Sequence, residues 1–189
     1  MLGSRDPIDW EPRRILVAGV SGSGKTTLAR RIASATGLPH TEIDGLYHGP
    51  GWTPREQFVD DVLAYTAEPG WVTEWQYRAA RPLLLERADT LLWLDLPIRI
   101  SLARVVRRTI RRRQRREELW NGNRERPLWT FFADPDHIIR WAMRTRNKYR
   151  PMIEALDVTH PHVHVVRLRN PRDVETWLRH LVELRRIGQ

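Results

Sequence analysis

Gly19-Val20-Ser21-Gly22-Ser23-Gly24-Lys25-Thr26-Thr27 carries the spacing G-x-x-x-x-G-K-[ST] in full. The apolar run Ile15-Leu16-Val17-Ala18 precedes it, and the helix-forming Leu28-Ala29-Arg30-Arg31-Ile32-Ala33 follows. Strand, glycine-rich turn and helix are the setting in which this spacing makes a phosphate cradle. Glycines let the backbone curl until several N–H groups face one anion. The helix beginning near Lys25 brings the positive end of its dipole to the same point. Lys25 can reach the outer phosphates, and the Thr26 hydroxyl can ligate Mg²⁺.

The cation usage sharpens this reading. The chain has two lysines, Lys25 and Lys148, against thirty arginines. A lysine kept at position 25 points to a task for a compact ammonium on a flexible stem. The net charge is +9 over 189 residues, which favours anionic partners such as nucleotides, phosphorylated metabolites or nucleic acid. There is no cysteine, which excludes disulfides and thiolate metal sites. No segment approaches the roughly 20 apolar residues of a membrane span. The first fourteen residues do not read as a signal peptide, so a cytoplasmic protein is expected. The length suits one domain with a proper core, as a monomer or homodimer.

Strands are expected at 14–18, 40–44, 71–74, 90–96 and 162–168, separated by helices. Residues 1–13 read as a loosely held lead-in, with Trp10 packing on the domain. Residues 45–70 read as an excursion from the core, with a capping box at Thr53-Pro54-Arg55-Glu56 opening a helix. A long helix from Ile98 becomes strongly basic, with eight arginines from Arg104 to Arg116. A further helix is expected over 135–156, bent at Pro151, and a last one from Pro171, capped by Asn170. Strands alternating with helices imply an α/β fold with a parallel sheet and right-handed crossovers. Ligands in such sheets bind at the C-terminal strand ends, the edge that gathers the Gly19 loop, Asp44 and Glu74.

This arrangement resembles the adenylate-kinase-like branch of P-loop kinases over roughly residues 14–185. That branch includes nucleoside monophosphate kinases and shikimate- and gluconate-type kinases. Within it the chain looks most like the topology modulation protein group, through residues 43–52 (IDGLYHGPGW) and 116–125 (REELWNGNRE). The resemblance implies a three-layer α/β/α P-loop NTPase fold with a five-stranded parallel sheet in the order 2-3-1-4-5. It also implies an acceptor-binding excursion at about 45–70 and an arginine-rich helical lid at about 108–134. The implied activity is transfer of the γ-phosphoryl group of ATP, with Mg²⁺, to a small acceptor: a nucleotide, nucleoside or hydroxylated metabolite.

Site residues follow from the same resemblance. The cradle would be Gly19, Ser21, Gly22, Ser23, Gly24, Lys25, Thr26 and Thr27. Such kinases carry Asp-Gly-x-x-Arg after the third strand, and the acid holds a Mg²⁺-bound water. Here the stretch is Glu74-Trp75-Gln76-Tyr77-Arg78, with Trp75 in place of glycine. Thr26 and Glu74 are therefore the implied metal residues. Asp44 resembles the residue that orients or deprotonates an acceptor hydroxyl, beside Arg78, with Tyr47 and His48 lining the pocket. Arg104 and Arg108 have the lid spacing in which the first packs on the base and the second reaches the phosphates. Arg111, Arg112, Arg115, Arg116 and Arg124 would complete the clamp, and Asn170 would flank the adenine. The implied catalytic set is Lys25, Asp44, Arg78 and Arg108. A competing reading uses the arginine run to track a nucleic-acid backbone, as an ATPase, a regulator or a polynucleotide kinase. A third feature, His160, His162 and His164, has the alternation that can place three rings on one strand face for a metal.

Overall fold

The computed structural model describes residues 1–114, 118–123 and 149–187. Four strands, β1 (Arg14–Gly19), β2 (Trp71–Glu74), β3 (Thr90–Leu94) and β4 (His164–Leu168), form one parallel sheet in the order β2-β1-β3-β4. The register pairs Ile15 with Val72 and Thr90, and Leu92 with Val166. Strand residues alternate between two apolar layers, as a pleated strand requires. Leu16, Ala18 and Trp71 join Phe58, Val62 and Ile153 on one face. Ile15, Val17 and Val72 join Leu28, Ile32, Trp177 and Leu181 on the other. A sheet buried on both faces explains its near-continuous apolar strands.

The helices are α1 (Lys25–Thr36), α2 (Ile43–Tyr47), α3 (Phe58–Thr66), α4 (Ala80–Arg87), α5 (Ile98–Gln114), α6 (Tyr149–Glu154), α7 (Leu156–Thr159) and α8 (Pro171–Ile187). α1 ends at Gly37 in the left-handed region, whose N–H donates to the Ala33 carbonyl. Asn170 caps α8 by accepting from the Asp173 N–H at 3.1 Å.

Five expectations are corrected. The strand expected at 40–44 is a single parallel bridge from His40 to Val72, so the sheet has four strands and the five-strand order does not hold. The reason is capture by a side chain from β2: the Ile43 N–H donates to Glu74 Oε2 at 3.1 Å, and the chain coils into α2 instead of continuing a ladder. The capping box at Thr53 is also absent. The Thr53 hydroxyl donates backwards to the Pro50 carbonyl, and α3 starts four residues beyond Pro54, at Phe58. The fourth expected strand stops at Leu94. Residues 149–159 are helical with the break at Ala155 rather than Pro151. Finally, the lead-in is docked: Leu2 exchanges hydrogen bonds with Val165 and Arg167 on the edge of β4, each 2.8 Å. Trp10 packs as expected, its indole N–H donating to the Thr90 hydroxyl at 2.8 Å. Residues 135–148 of the expected long helix lie outside the described residues.

Candidate active site

The loop from β1 to α1 is shaped by close contact with α5. A Cβ on Gly22 would lie 2.3 Å from the Ser101 carbonyl oxygen and 2.5 Å from Val105, and its φ is +76°. Only glycine fits there. No side chain caps α1, whose N-cap is Gly24, and its first turn holds no acid. Its leading amides and dipole are thus left facing the space above the loop. Lys25 is buried and its ammonium donates to the Val20 carbonyl at 3.3 Å. Arg104 reaches down from α5, Nη1 donating to the Ser23 carbonyl at 3.0 Å.

Beside the loop stands Glu74 at the end of β2, 2% exposed. Burial works to raise its pKa. The nearby His40 imidazole, the hydrogen bond from the Ile43 N–H and the nearby Thr26 hydroxyl outweigh it and hold the carboxyl below its ordinary value. Its Oε1 lies 3.4 Å from the His40 imidazole. An ionised carboxylate next to the Thr26 hydroxyl is the hard oxygen set that Mg²⁺ takes, so these residues fit that ion.

Opposite the loop, Asp44 lies in the first turn of α2. Its Oδ1 accepts from Gln76 Nε2 at 2.7 Å and from the Tyr77 hydroxyl at 2.6 Å. Tyr77 holds a left-handed backbone, φ 56°, and its ring stacks on Tyr47 at 3.8 Å. Burial, with Asp44 adding to it, pushes the Tyr77 phenol far above its ordinary pKa, so it remains a donor. Its oxygen is 3.0 Å from His48 Nε2. Burial lowers the His48 pKa against the opposing pull of Asp44, so this ring is neutral at pH 7.

Both groups open into one cleft of about 1030 Å³. Ser21, Gly22, Gly24, Lys25, Thr26 and Thr27 form its floor at one end, and Asp44, Tyr47, His48 and Tyr77 the other. Seven arginines line it: Arg78, Arg81, Arg104, Arg107, Arg108, Arg111 and Arg112. Gly19 and Ser23 stand behind the loop rather than on the cleft wall. A Cβ on Gly19 would press on Ser23 and Leu94. Asn170 is also outside the lining, occupied in capping α8. Arg115, Arg116 and Arg124 lie outside the described residues.

The three alternating histidines are not gathered around a metal. His164 stacks on Trp10 at 4.0 Å, and no metal-ligating trio occurs among the described residues.

Several cleft residues were not picked out in the sequence. Arg81, one helical turn after Arg78, lies 5.6 Å over the Trp75 ring and donates to the Met152 sulfur at 3.0 Å. Its spacing from Arg78 was the available signal. Gln76 and Trp120, which line the cleft, and Asn123, which does not, carry no comparable signal in the sequence. Trp75, where the motif has glycine, is 2% exposed and packs against Tyr149 at 5.8 Å between centroids. It fills the layer under the cleft.

No family profile and no curated protein matches the chain. Solved structures do. A gluconokinase from Sinorhizobium meliloti 1021 is 22% identical, with a TM-score of 0.52 over 94% of this chain and 96% of its own. A shikimate kinase from Acinetobacter baumannii, in complex with shikimate, is 16% identical, with a TM-score of 0.53 over 94% of this chain and 95% of its own. A shikimate kinase from Bacteroides thetaiotaomicron is 15% identical, with a TM-score of 0.50 over 91% of this chain and 97% of its own. These likenesses show the fold alone: an α/β domain with the architecture of those kinases.

Proposed function

We propose that the chain is an ATP-dependent kinase of a small hydroxyl-bearing acceptor. The observation that carries this is the placing of two unlike ends in one cleft. A glycine loop with Lys25 and an uncapped helix stands at one end, and a carboxylate held by two donors stands at the other. The kinase fold of the structural neighbours supports the same reading.

In the reaction, an oxygen of the acceptor hydroxyl bonds to the γ-phosphorus. The bond from that phosphorus to the β-phosphate oxygen breaks, and the hydroxyl proton leaves toward Asp44. The loop amides and Lys25 hold the phosphates, and Arg104 and Arg108 reach them from α5. Thr26 and Glu74 would hold Mg²⁺, which would supply charge neutralisation for the phosphate tail. Gln76 and Tyr77 fix one Asp44 oxygen, so Asp44 orients the acceptor and is a modest base. Arg78 and Arg81 meet whatever negative charge the acceptor brings. Positioning and electrostatics in a site shielded from water do most of the work. The finer likeness to the topology modulation group rests on residues 43–52 and 116–125 and names no acceptor.

The test is a coupled ADP-release screen over nucleosides, nucleoside monophosphates, sugars and hydroxy acids, run on the wild type and on Lys25→Ala. Acceptor-dependent ADP release is expected from the wild type. Lys25→Ala should keep the wild-type circular dichroism and unfolding transition while losing at least 10³-fold of the transfer rate, about 4 kcal/mol of transition-state stabilisation. Turnover retained in that variant overturns the mechanism.

A further inference from the structure

Residues 43–52 and 118–123 are far apart in the chain and lock together in the fold. Each contains a tight turn with a left-handed non-glycine residue, Trp52 at φ 63° and Asn121 at φ 55°. Such conformations persist only where surrounding contacts fix them. Here the contacts are between the two turns. Asn123, 4% exposed, accepts from the Trp52 N–H at 2.9 Å through Oδ1. Its Nδ2 donates to the carbonyls of Gly49 at 2.9 Å and Trp120 at 2.8 Å. That uses both amide hydrogens and one side of the oxygen, so this buried polar network is satisfied and specifies one arrangement. Asn121 donates to the His48 carbonyl.

Trp120 is held just as closely. Its indole N–H donates to Glu42 Oε2 at 3.1 Å. Its Cδ1 lies 3.0 Å from where a Cβ on Gly45 would be, so the ring rests on the backbone next to Asp44. The His48 ring lies 6.5 Å from it, inclined by 27°, and the Arg112 guanidinium 6.0 Å above it. Trp120, His48 and Trp52 all line the cleft that contains Asp44.

We propose that the tip of the lid is itself a wall of the acceptor half of the cleft. Trp120 roofs the space beside Asp44 and decides which acceptors fit. Asn123 is the positioning residue that straps this roof to residues 48–52, so lid and acceptor loop open and close as one unit. The inference rests on the kinase reading above. It adds that acceptor selection is made by a residue carried on the lid, and that the site is incomplete until the two turns meet. The nucleotide half is built separately by the Gly22–α5 contact and does not depend on the strap.

The roof also keeps water from the reacting end of ATP. Without it, water takes the acceptor's place: its oxygen bonds the γ-phosphorus, the bond to the β-phosphate oxygen breaks, and ADP, inorganic phosphate and a proton leave.

The experiment uses the full chain as wild type, Asn123→Ala, Trp120→Leu and Trp120→Phe. Calorimetry with Mg·AMP-PNP is expected to give affinities within twofold of one another. In hydrogen exchange, Asn123→Ala should speed amides of 42–52 and 118–123 together by at least tenfold while 19–27 stays unchanged. ADP release without added acceptor should rise at least fivefold in Asn123→Ala and Trp120→Leu. It should rise less in Trp120→Phe than in Trp120→Leu, since phenylalanine keeps an aromatic ring on the wall but loses the N–H bond to Glu42. Faster exchange in one segment alone overturns the strap, and unchanged or slower ADP release in both variants overturns the roof. A wild type that takes up no Mg·AMP-PNP sinks the kinase reading instead, and exchange then decides the strap by itself. Should Asn123→Ala lose its cooperative unfolding, Asn123→Asp replaces it, keeping Oδ1 and removing both Nδ2 donors.

Discussion

Single residues set the tolerances of this site, and Gly22 is the tightest. Its missing side chain lets the phosphate loop touch α5 at Ser101 and Val105. Gly22→Ala asks a Cβ to share space with a backbone carbonyl and places alanine at φ +76°. Both effects destabilise, and together they should cost about 2 kcal/mol or more. Urea unfolding of Gly22→Ala is expected to show the lower midpoint with an unchanged slope, and an unshifted midpoint would show that the loop can move aside. Asp44 and Tyr77 show the opposite arrangement, tolerance removed by hydrogen bonding. The phenol donates at 2.6 Å and is held neutral, so the carboxylate keeps its direction.

At the scale of elements, the instructive miss is the strand expected over 40–44. The stretch HTEID holds a single apolar residue, Ile43, so its local pattern says little either way. What diverts it lies elsewhere in the chain. Glu74 captures the Ile43 amide, so pairing on β2 stops at one bridge, where the Val72 N–H donates to the Pro39 carbonyl and the Val72 carbonyl accepts from Thr41, groups shared with the Tyr65 hydroxyl of α3. That hydroxyl donates to the Val72 carbonyl at 2.7 Å and accepts from the Val72 N–H at 3.1 Å. Long-range side-chain capture of this kind leaves no mark in local periodicity. The loop and its flanks were legible because spacing, strand and helix all lie within about twenty consecutive residues. The Asn123 strap was not, since its meaning requires two segments some seventy residues apart. Tyr65 also gives α3 a pH signature. Burial, foremost, pushes its phenol up to about 12, while its hydrogen bonds pull the other way. The folded value exceeds the unfolded one of about 10. Stability from this neutral phenol is therefore complete below pH 10 and is lost as pH rises through about 12. Thermal unfolding between pH 9 and 12 should show that decline in the wild type. Tyr65→Phe should start lower, by about 1 kcal/mol for the lost hydroxyl hydrogen bonds, and decline less steeply. Tyr149, also raised to about 12, keeps the variant's decline from vanishing. Parallel declines would remove Tyr65 from the account.

Over the whole molecule, the net charge of +9 is not spread evenly. Seven arginines and Lys25 converge on one cleft whose lining includes a single carboxylate, Asp44. Five of those arginines come from α5, the helix whose basic run also suggested nucleic-acid binding. Their convergence makes the cleft an anion attractor, and a confined, partly apolar cleft focuses that field. A polyanion drawn to it must compete with the nucleotide for the same guanidinium groups. Anisotropy with a labelled single-stranded oligonucleotide is expected to show binding that weakens more than tenfold between 50 and 300 mM salt. Saturating Mg·AMP-PNP should displace most of it at low salt, and Arg107→Ser with Arg111→Ser should weaken what is bound. Oligonucleotide binding that ignores both the nucleotide and the two substitutions would place a nucleic-acid surface outside the cleft. It would also move the arginine-rich composition from phosphoryl transfer to polynucleotide recognition.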